Sequence, residues 1–133
     1  MEPRWILRFT NFAAALARLE EALAEKQVTM LEKDGTIKRF EFTFELAWKL
    51  LKDILEEAGY DVTSPKDVIK KAAEVGLIQN ADSWLSIIDS RNITAHEYDE
   101  SKSNVVYDLV AGKFVHLLRD LKLAATKKRE KEH

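Results

Sequence analysis

The sequence predicts an all-α protein, an antiparallel up-and-down four-helix bundle with one short additional helix. Three observations predict it. Apolar residues recur at steps of three and four over long stretches, the period of a helix with one buried face. Only 4 Gly and 2 Pro leave too few tight turns for a many-stranded sandwich or barrel. No run alternates with period two for long enough to make a strand.

The first helix is expected from Arg4 to Gln27. Trp5, Phe9, Phe12, Leu16, Leu19 and Leu23 form its apolar stripe, and Arg8, Arg18, Glu21 and Glu25 lie off it. The stretch Glu32-Lys33-Asp34-Gly35-Thr36 has Asp-Gly at its centre and is expected to be a turn. The second helix is expected from Ile37 to Ala58. Its stripe is Phe40, Phe44, Ala47, Leu51, Ile54 and Leu55, and Gly59 is its stop.

Ser64-Pro65-Lys66-Asp67 reads as a helix start. Ser64 is the N-cap, Pro65 sits where its missing N–H costs nothing, and Asp67 can close a capping box. This short third helix ends before Gly76. Asn80 caps a fourth helix from Ala81 to Ala95, with Trp84, Ile87, Ile88 and Arg91 at helical spacing. Asp99 to Ser103 reads as a polar turn. The fifth helix runs from Asn104 to Thr126 along Val106, Val110, Phe114, Leu117, Leu121 and Ala124. Leu7, Val105, Tyr107 and Leu118 flank the stripes of the first and fifth helices. That breadth implies burial on two sides, hence self-association.

A chain of 133 residues fits one domain, here 1–126, with a charged tail at 127–133. Hydrophobic residues at 46% and charged residues at 33% place it with globular proteins rather than disordered ones. Cysteine is absent, which excludes disulfides, a thiolate nucleophile and a zinc–thiolate site. The N-terminal MEPRWILRF has no apolar signal region, and no run approaches the length of a membrane span. A cytoplasmic location, with no membrane association, is the expectation. The net charge of −2 is not that of a protein coating long nucleic acid, so any RNA contact must be local or built by an oligomer.

No phosphate-binding glycine loop, dinucleotide fingerprint, nucleophile elbow or zinc-protease helix occurs. His96 and His116 lie on different helices, so no metal site is expected, and no cofactor. Glu41 and Glu45 share a helix face, and Glu45 can pair with Lys49. His116 is given no role. Trp5, Trp48 and Trp84 sit at core or interface spacing.

The remaining candidate is RNITAHEY, residues 91–98. Arg91 and His96 form R-x4-H. Seven arginines and three histidines in 133 residues give that pattern by chance with odds of roughly one in six, so alone it is weak. On a regular helix Arg91 and Tyr98 share a face, whereas Arg91 and His96 lie about 140° apart around the axis. To meet at one substrate, they need a helix end near Thr94–Ala95 or a second subunit.

The chemistry that suits these residues is RNA phosphodiester cleavage without metal. A histidine can take the ribose 2′-OH proton or return one to the leaving oxygen. An arginine fork can hold the phosphate, and Asn92 can orient either group. The same residues also fit a polar helix end, with Arg91 paired to Asp89 or Glu97.

A resemblance adds to this. Gly35-Thr36-Ile37-Lys38-Arg39-Phe40-Glu41-Phe42-Thr43-Phe44-Glu45-Leu46-Ala47-Trp48-Lys49 resembles a family signature. So do Ser64-Pro65-Lys66-Asp67-Val68, Ala73-Gly76-Leu77-Ile78, and Asp89-Ser90-Arg91-Asn92 through His96-Glu97-Tyr98-Asp99. The family is the nucleotidyltransferase substrate-binding proteins of the HEPN superfamily, and the resemblance spans about residues 5–123. It implies a four-helix core and a dimer or higher oligomer. It also implies a minimal nucleotidyltransferase partner. In the toxin–antitoxin reading of the family, Arg91 and His96 would be catalytic across a dimer cleft, with Asn92 supporting. Tyr98 would be the residue to which the partner, as antitoxin, adds AMP. In the alternative reading the protein presents substrate to the nucleotidyltransferase and cuts nothing.

Overall fold

The computed structural model describes residues 2–26, 28–96 and 100–132, with backbone only for 91–96. The described residues are helical and contain no strand. The elements are α1 (Arg4–Leu23), α2 (Met30–Glu57), α3 (Pro65–Glu74), α4 (Ala81–His96), α5 (Glu100–Leu109) and α6 (Val115–Lys131). A π-helical turn, Val110–Phe114, joins α5 to α6 without a break.

Charged contacts give the direction of each helix. Arg4 and Arg8 near the start of α1 reach Asp53 near the end of α2. Arg39, early in α2, donates to the Arg18 carbonyl late in α1 at 2.9 Å. These two helices therefore run antiparallel. Glu20 meets Arg119 at 3.0 Å, while Lys128 lies over Trp5 and Arg129 over Phe9, so α6 also runs against α1. Lys33 meets Asn104 and Phe40 stacks on Phe114, so α2 and α5 run the same way.

The expected stripes fill the core. Phe9, Phe12, Leu16 and Leu19 of α1 are buried, as are Phe40, Phe44, Ala47, Leu51, Ile54 and Leu55 of α2. Phe40, Phe44, Trp84 and Phe114 form an aromatic chain with ring centroids 5.5–6.4 Å apart. Such spacing adds edge and offset attraction to the burial of the rings. Trp5 and Trp84 are buried; Trp48 is half-buried, its indole N–H donating to Glu45 at 3.1 Å.

Four expectations about boundaries change. The first helix stops at Leu23 rather than Gln27, because no apolar residue extends the stripe beyond Leu23. The Glu32–Thr36 stretch is helix, not turn. Thr29 accepts from the Glu32 N–H, and the Glu32 carboxylate accepts from the Thr29 N–H, so a reciprocal capping box starts α2 at Met30. Gly35 therefore sits inside a helix, which costs about 1 kcal/mol relative to alanine and is carried by the long buried stripe. Glu100–Ser103 is also helix, with Glu100 placing negative charge in the first turn of α5. The C-terminal helix extends through Lys131, and the rings of Trp5 and Phe9 hold Lys128 and Arg129 there.

The other ends fall where the sequence places them, except that the Asp67 carboxylate accepts from the Thr63 hydroxyl at 3.4 Å instead of closing a capping box with Ser64. Ser64 accepts from the Asp67 N–H at 3.1 Å, and Pro65 opens α3. Gly59 and Gly76 take φ of 97° and 83°, which only glycine adopts without strain. Each terminates a helix with a six-residue return bond, Tyr60 N–H to Leu55 and Leu77 N–H to Ala72. Asn80 has φ of 61°, and its carbonyl accepts from Ser83 and Trp84 at the start of α4.

Candidate functional site

The polar stretch singled out by the sequence lies at the end of α4 and beyond it. α4 is rooted by Trp84 and Ile87, both buried. Ser90 is buried too and spends its hydroxyl on the Ile87 carbonyl at 2.8 Å. Such a bond lets a polar side chain face the core without an orphaned donor. Arg91, Asn92 and His96 follow on the same helix; their side chains lie outside the described residues. Tyr98 lies outside them altogether.

The described part of α4 runs to His96, within one residue of the expected end at Ala95. Residues 91 and 96 therefore keep helical spacing, about 140° apart around the axis.

The helix that follows the stretch, α5, is anchored from α2. Lys33 donates to the Asn104 side-chain carbonyl at 2.9 Å, and its ammonium lies 5.3 Å from the Tyr107 ring centroid. Thr36, on the same helix, is buried and donates to the Glu32 carbonyl at 2.8 Å. Ser103 on α5 is buried as well. Small polar residues thus face inward at this end of the molecule. Sequence reading missed Lys33 because it assigned the residue to a turn. The pattern Thr29-x-x-Glu32 is a helix-start signature and was present to correct this.

His116 is exposed, with its Nδ1 3.4 Å from the Arg119 guanidinium, which also holds Glu20. That arrangement gives it a surface role in an ion-pair group. Glu45 pairs with Lys49 at 3.9 Å, as its spacing predicts. Among the described residues no group of three or more His, Cys, Asp or Glu side chains could hold a metal ion. Among them too, no helix is long and apolar enough to cross a membrane.

Comparison with known proteins agrees with this architecture. The family described as "Nucleotidyltransferase substrate binding protein like" matches residues 7–127. A Haemophilus influenzae protein named "Probable ribonuclease HepT" is 36% identical over 78 residues, 55% of this chain and 53% of that protein. The matched region thus spans about half the length of that curated relative. A crystal structure of a Thermus thermophilus protein superposes with a TM-score of 0.76 at 34% identity, covering 83% of this chain and 94% of that one. A second structure, from Haemophilus influenzae, gives a TM-score of 0.75 at 27% identity, covering 86% and 96%. It is described as revealing the fold of a substrate binding domain of a nucleotidyltransferase.

Proposed function

From the premise that the chain belongs to the nucleotidyltransferase substrate binding protein-like family, we propose that it is a HEPN-type ribonuclease acting as the toxin of a toxin–antitoxin pair. Its core is read as four long helices running up and down, and its location as cytoplasmic. The observation that carries the proposal is the likeness to the relative named a probable ribonuclease, joined to the R-x4-H pattern of Arg91 and His96.

The reaction is an internal displacement in RNA. The ribose 2′-oxygen attacks the adjacent phosphorus, and the bond from phosphorus to the 5′-oxygen breaks. The products are a 2′,3′-cyclic phosphate and a free 5′-hydroxyl. His96 takes the 2′-OH proton, and a proton returns to the departing 5′-oxygen. Arg91 holds the phosphate and stabilises its developing charge. Asn92 orients them. Because helical spacing separates residues 91 and 96, the site falls in a cleft between two copies, where one copy's groups complement the other's.

Control comes from a minimal nucleotidyltransferase. The Tyr98 phenolic oxygen attacks the α-phosphorus of ATP and pyrophosphate leaves, so Tyr98 carries AMP. That adds bulk and negative charge two residues from His96, which blocks the cleft and competes for Arg91.

The test is incubation of purified protein with RNA in excess chelator. Cleavage leaving 2′,3′-cyclic ends supports the proposal, and intact RNA at all protein concentrations contradicts it. A second reading, favoured by the description of the Haemophilus structure, is a non-catalytic subunit presenting substrate to a nucleotidyltransferase. It predicts tight partner binding and no cleavage by any form.

A further inference from the structure

A pocket lies at the start of α4, the opposite end of that helix from the R-x4-H stretch. It opens between the α3–α4 connection and the middle of α6, with a volume of about 390 Å³, the scale of a small-molecule site. Trp84, Leu117, Leu121 and Ala124 form its apolar wall. Of the residues that line it, Asp120 alone is charged. Asp120 is exposed and makes no ion pair or hydrogen bond with a described residue. Trp84 is 1% exposed, and its indole N–H likewise has no partner among the described residues. The Trp5 indole N–H is partnerless and sealed from solvent, whereas that of Trp84 is not sealed. Trp84 thus holds a buried donor with an opening, and the pocket lined by its ring is that opening. At 1.5 Å of rise per residue, Arg91 lies about 10 Å further along the helix, so the pocket is separate from the candidate stretch.

We infer that this pocket binds a small organic amine, a protonated amine on an apolar stem that also carries a hydrogen-bond acceptor. Each part answers one observation. The lone carboxylate at the rim attracts a cation, and the apolar wall beside it weakens screening by water. An indole N–H only donates, so the ligand supplies the acceptor, such as a carbonyl oxygen. A buried donor left unpaired costs free energy, and an acceptor recovers it on binding. Leu117, Leu121 and Ala124 take the stem out of water. An anion of the same shape would meet Asp120, with no lysine or arginine in the lining to offset it. The site depends neither on RNA cleavage nor on the pairing of copies.

The test titrates N-acetylcadaverine, a pentyl stem with an ammonium at one end and an acetamide at the other, into the isotope-labelled full-length chain. The readout is the nuclear magnetic resonance of the three indole N–H groups, those of Trp5, Trp48 and Trp84. Loss of one signal in Trp84→Phe identifies the reporter. The Trp84 signal should move and saturate at millimolar amine, while those of Trp5 and Trp48 stay in place. N-pentylacetamide, which lacks the ammonium, and pentylamine, which lacks the acceptor, should each bind at least about fivefold more weakly. Asp120→Asn, at an exposed position, should weaken binding of N-acetylcadaverine by a similar factor and leave the thermal melt unchanged. A Trp84 signal that does not move at millimolar amine overturns the inference. So does equal affinity for either truncated probe, or for the Asp120→Asn chain.

Discussion

Lys33 and Asn104 join α2 to α5, the helix that follows the candidate stretch in sequence, through a 2.9 Å hydrogen bond between their side chains. The ammonium also covers the Tyr107 ring at 5.3 Å. One side chain of α2 therefore fixes the first turns of α5, a few residues after Tyr98. Replacing Lys33 by Met keeps the aliphatic stem and removes the charge and its donors. The expected loss is about 1 kcal/mol of stability, from one charge-assisted hydrogen bond partly open to water. Amide exchange near the start of α5 should accelerate more than exchange in α1. Equal exchange in wild type and variant would separate Lys33 from the site.

Asp53 is the buried carboxylate of the molecule's other end, its side chain 5% exposed, held by Arg8 at 3.0 Å and Arg4 at 3.2 Å. The two arginines are unequal. Arg4 is largely exposed and has Glu56 as a second partner, whereas Arg8 is mostly shielded. Arg4→Ala should change stability by less than about 0.5 kcal/mol, as an exposed ion pair does. Arg8→Ala leaves the carboxylate short of its main partner and should cost about 1–3 kcal/mol. Denaturant melts of the two variants check the order, and an equal cost would contradict it.

Glu32 accepts hydrogen bonds from the backbone N–H and hydroxyl of Thr29, and these hold its carboxyl below its ordinary value of 4.5. A depressed folded value means that the contribution is fully present above the unfolded value. It fades as pH falls through the folded one. The stability gap between wild type and Glu32→Ala should therefore be constant near neutral pH and shrink in acid. Thr29→Ala, which removes the N-cap itself, should cost about 1 kcal/mol. Melts at several pH values test both. A gap that widens in acid would contradict the capping assignment.

Tyr98 is the proposed control point. After incubation with the partner nucleotidyltransferase and ATP, the peptide spanning Tyr98 should gain the mass of one AMP group. RNA cleavage should fall with the modified fraction, and Tyr98→Phe should abolish the mass change. Cleavage that persists in the fully modified protein would remove Tyr98 from regulation.

Most of the fold could be read in the sequence because burial in a helical bundle is written as periodicity. Phe40, Phe44, Ala47 and Leu51 in α2 and Phe9, Phe12 and Leu16 in α1 are buried as their spacing demands. Ends defined by glycine were visible for the same reason, since Gly59 and Gly76 alone tolerate the backbone found there. What composition concealed were polar residues inside helices. Asp34-Gly35 resembles a turn, yet a capping box upstream and the stripe beginning at Ile37 override that local preference. The π turn at Val110–Phe114 was hidden as well. Val106, Val110, Phe114 and Leu118 recur in steps of four, slightly longer than an α-helical turn, and the wider turn absorbs the drift. It moves the buried alanine to Ala125, with Ala124 half-buried. Leu118 proved to be core, whereas Leu7 and Val105 stay exposed. At the candidate site the residue types are legible in the sequence, and the helical backbone of 91–96 keeps the spacing expected of them.

The most direct measurement is the rate of RNA cleavage by His96→Ala beside wild type, both purified in chelator and with matching thermal melts. Loss of a histidine that moves a proton should slow the reaction at least about a hundredfold. An unchanged rate would contradict the assignment of the R-x4-H stretch as the catalytic site.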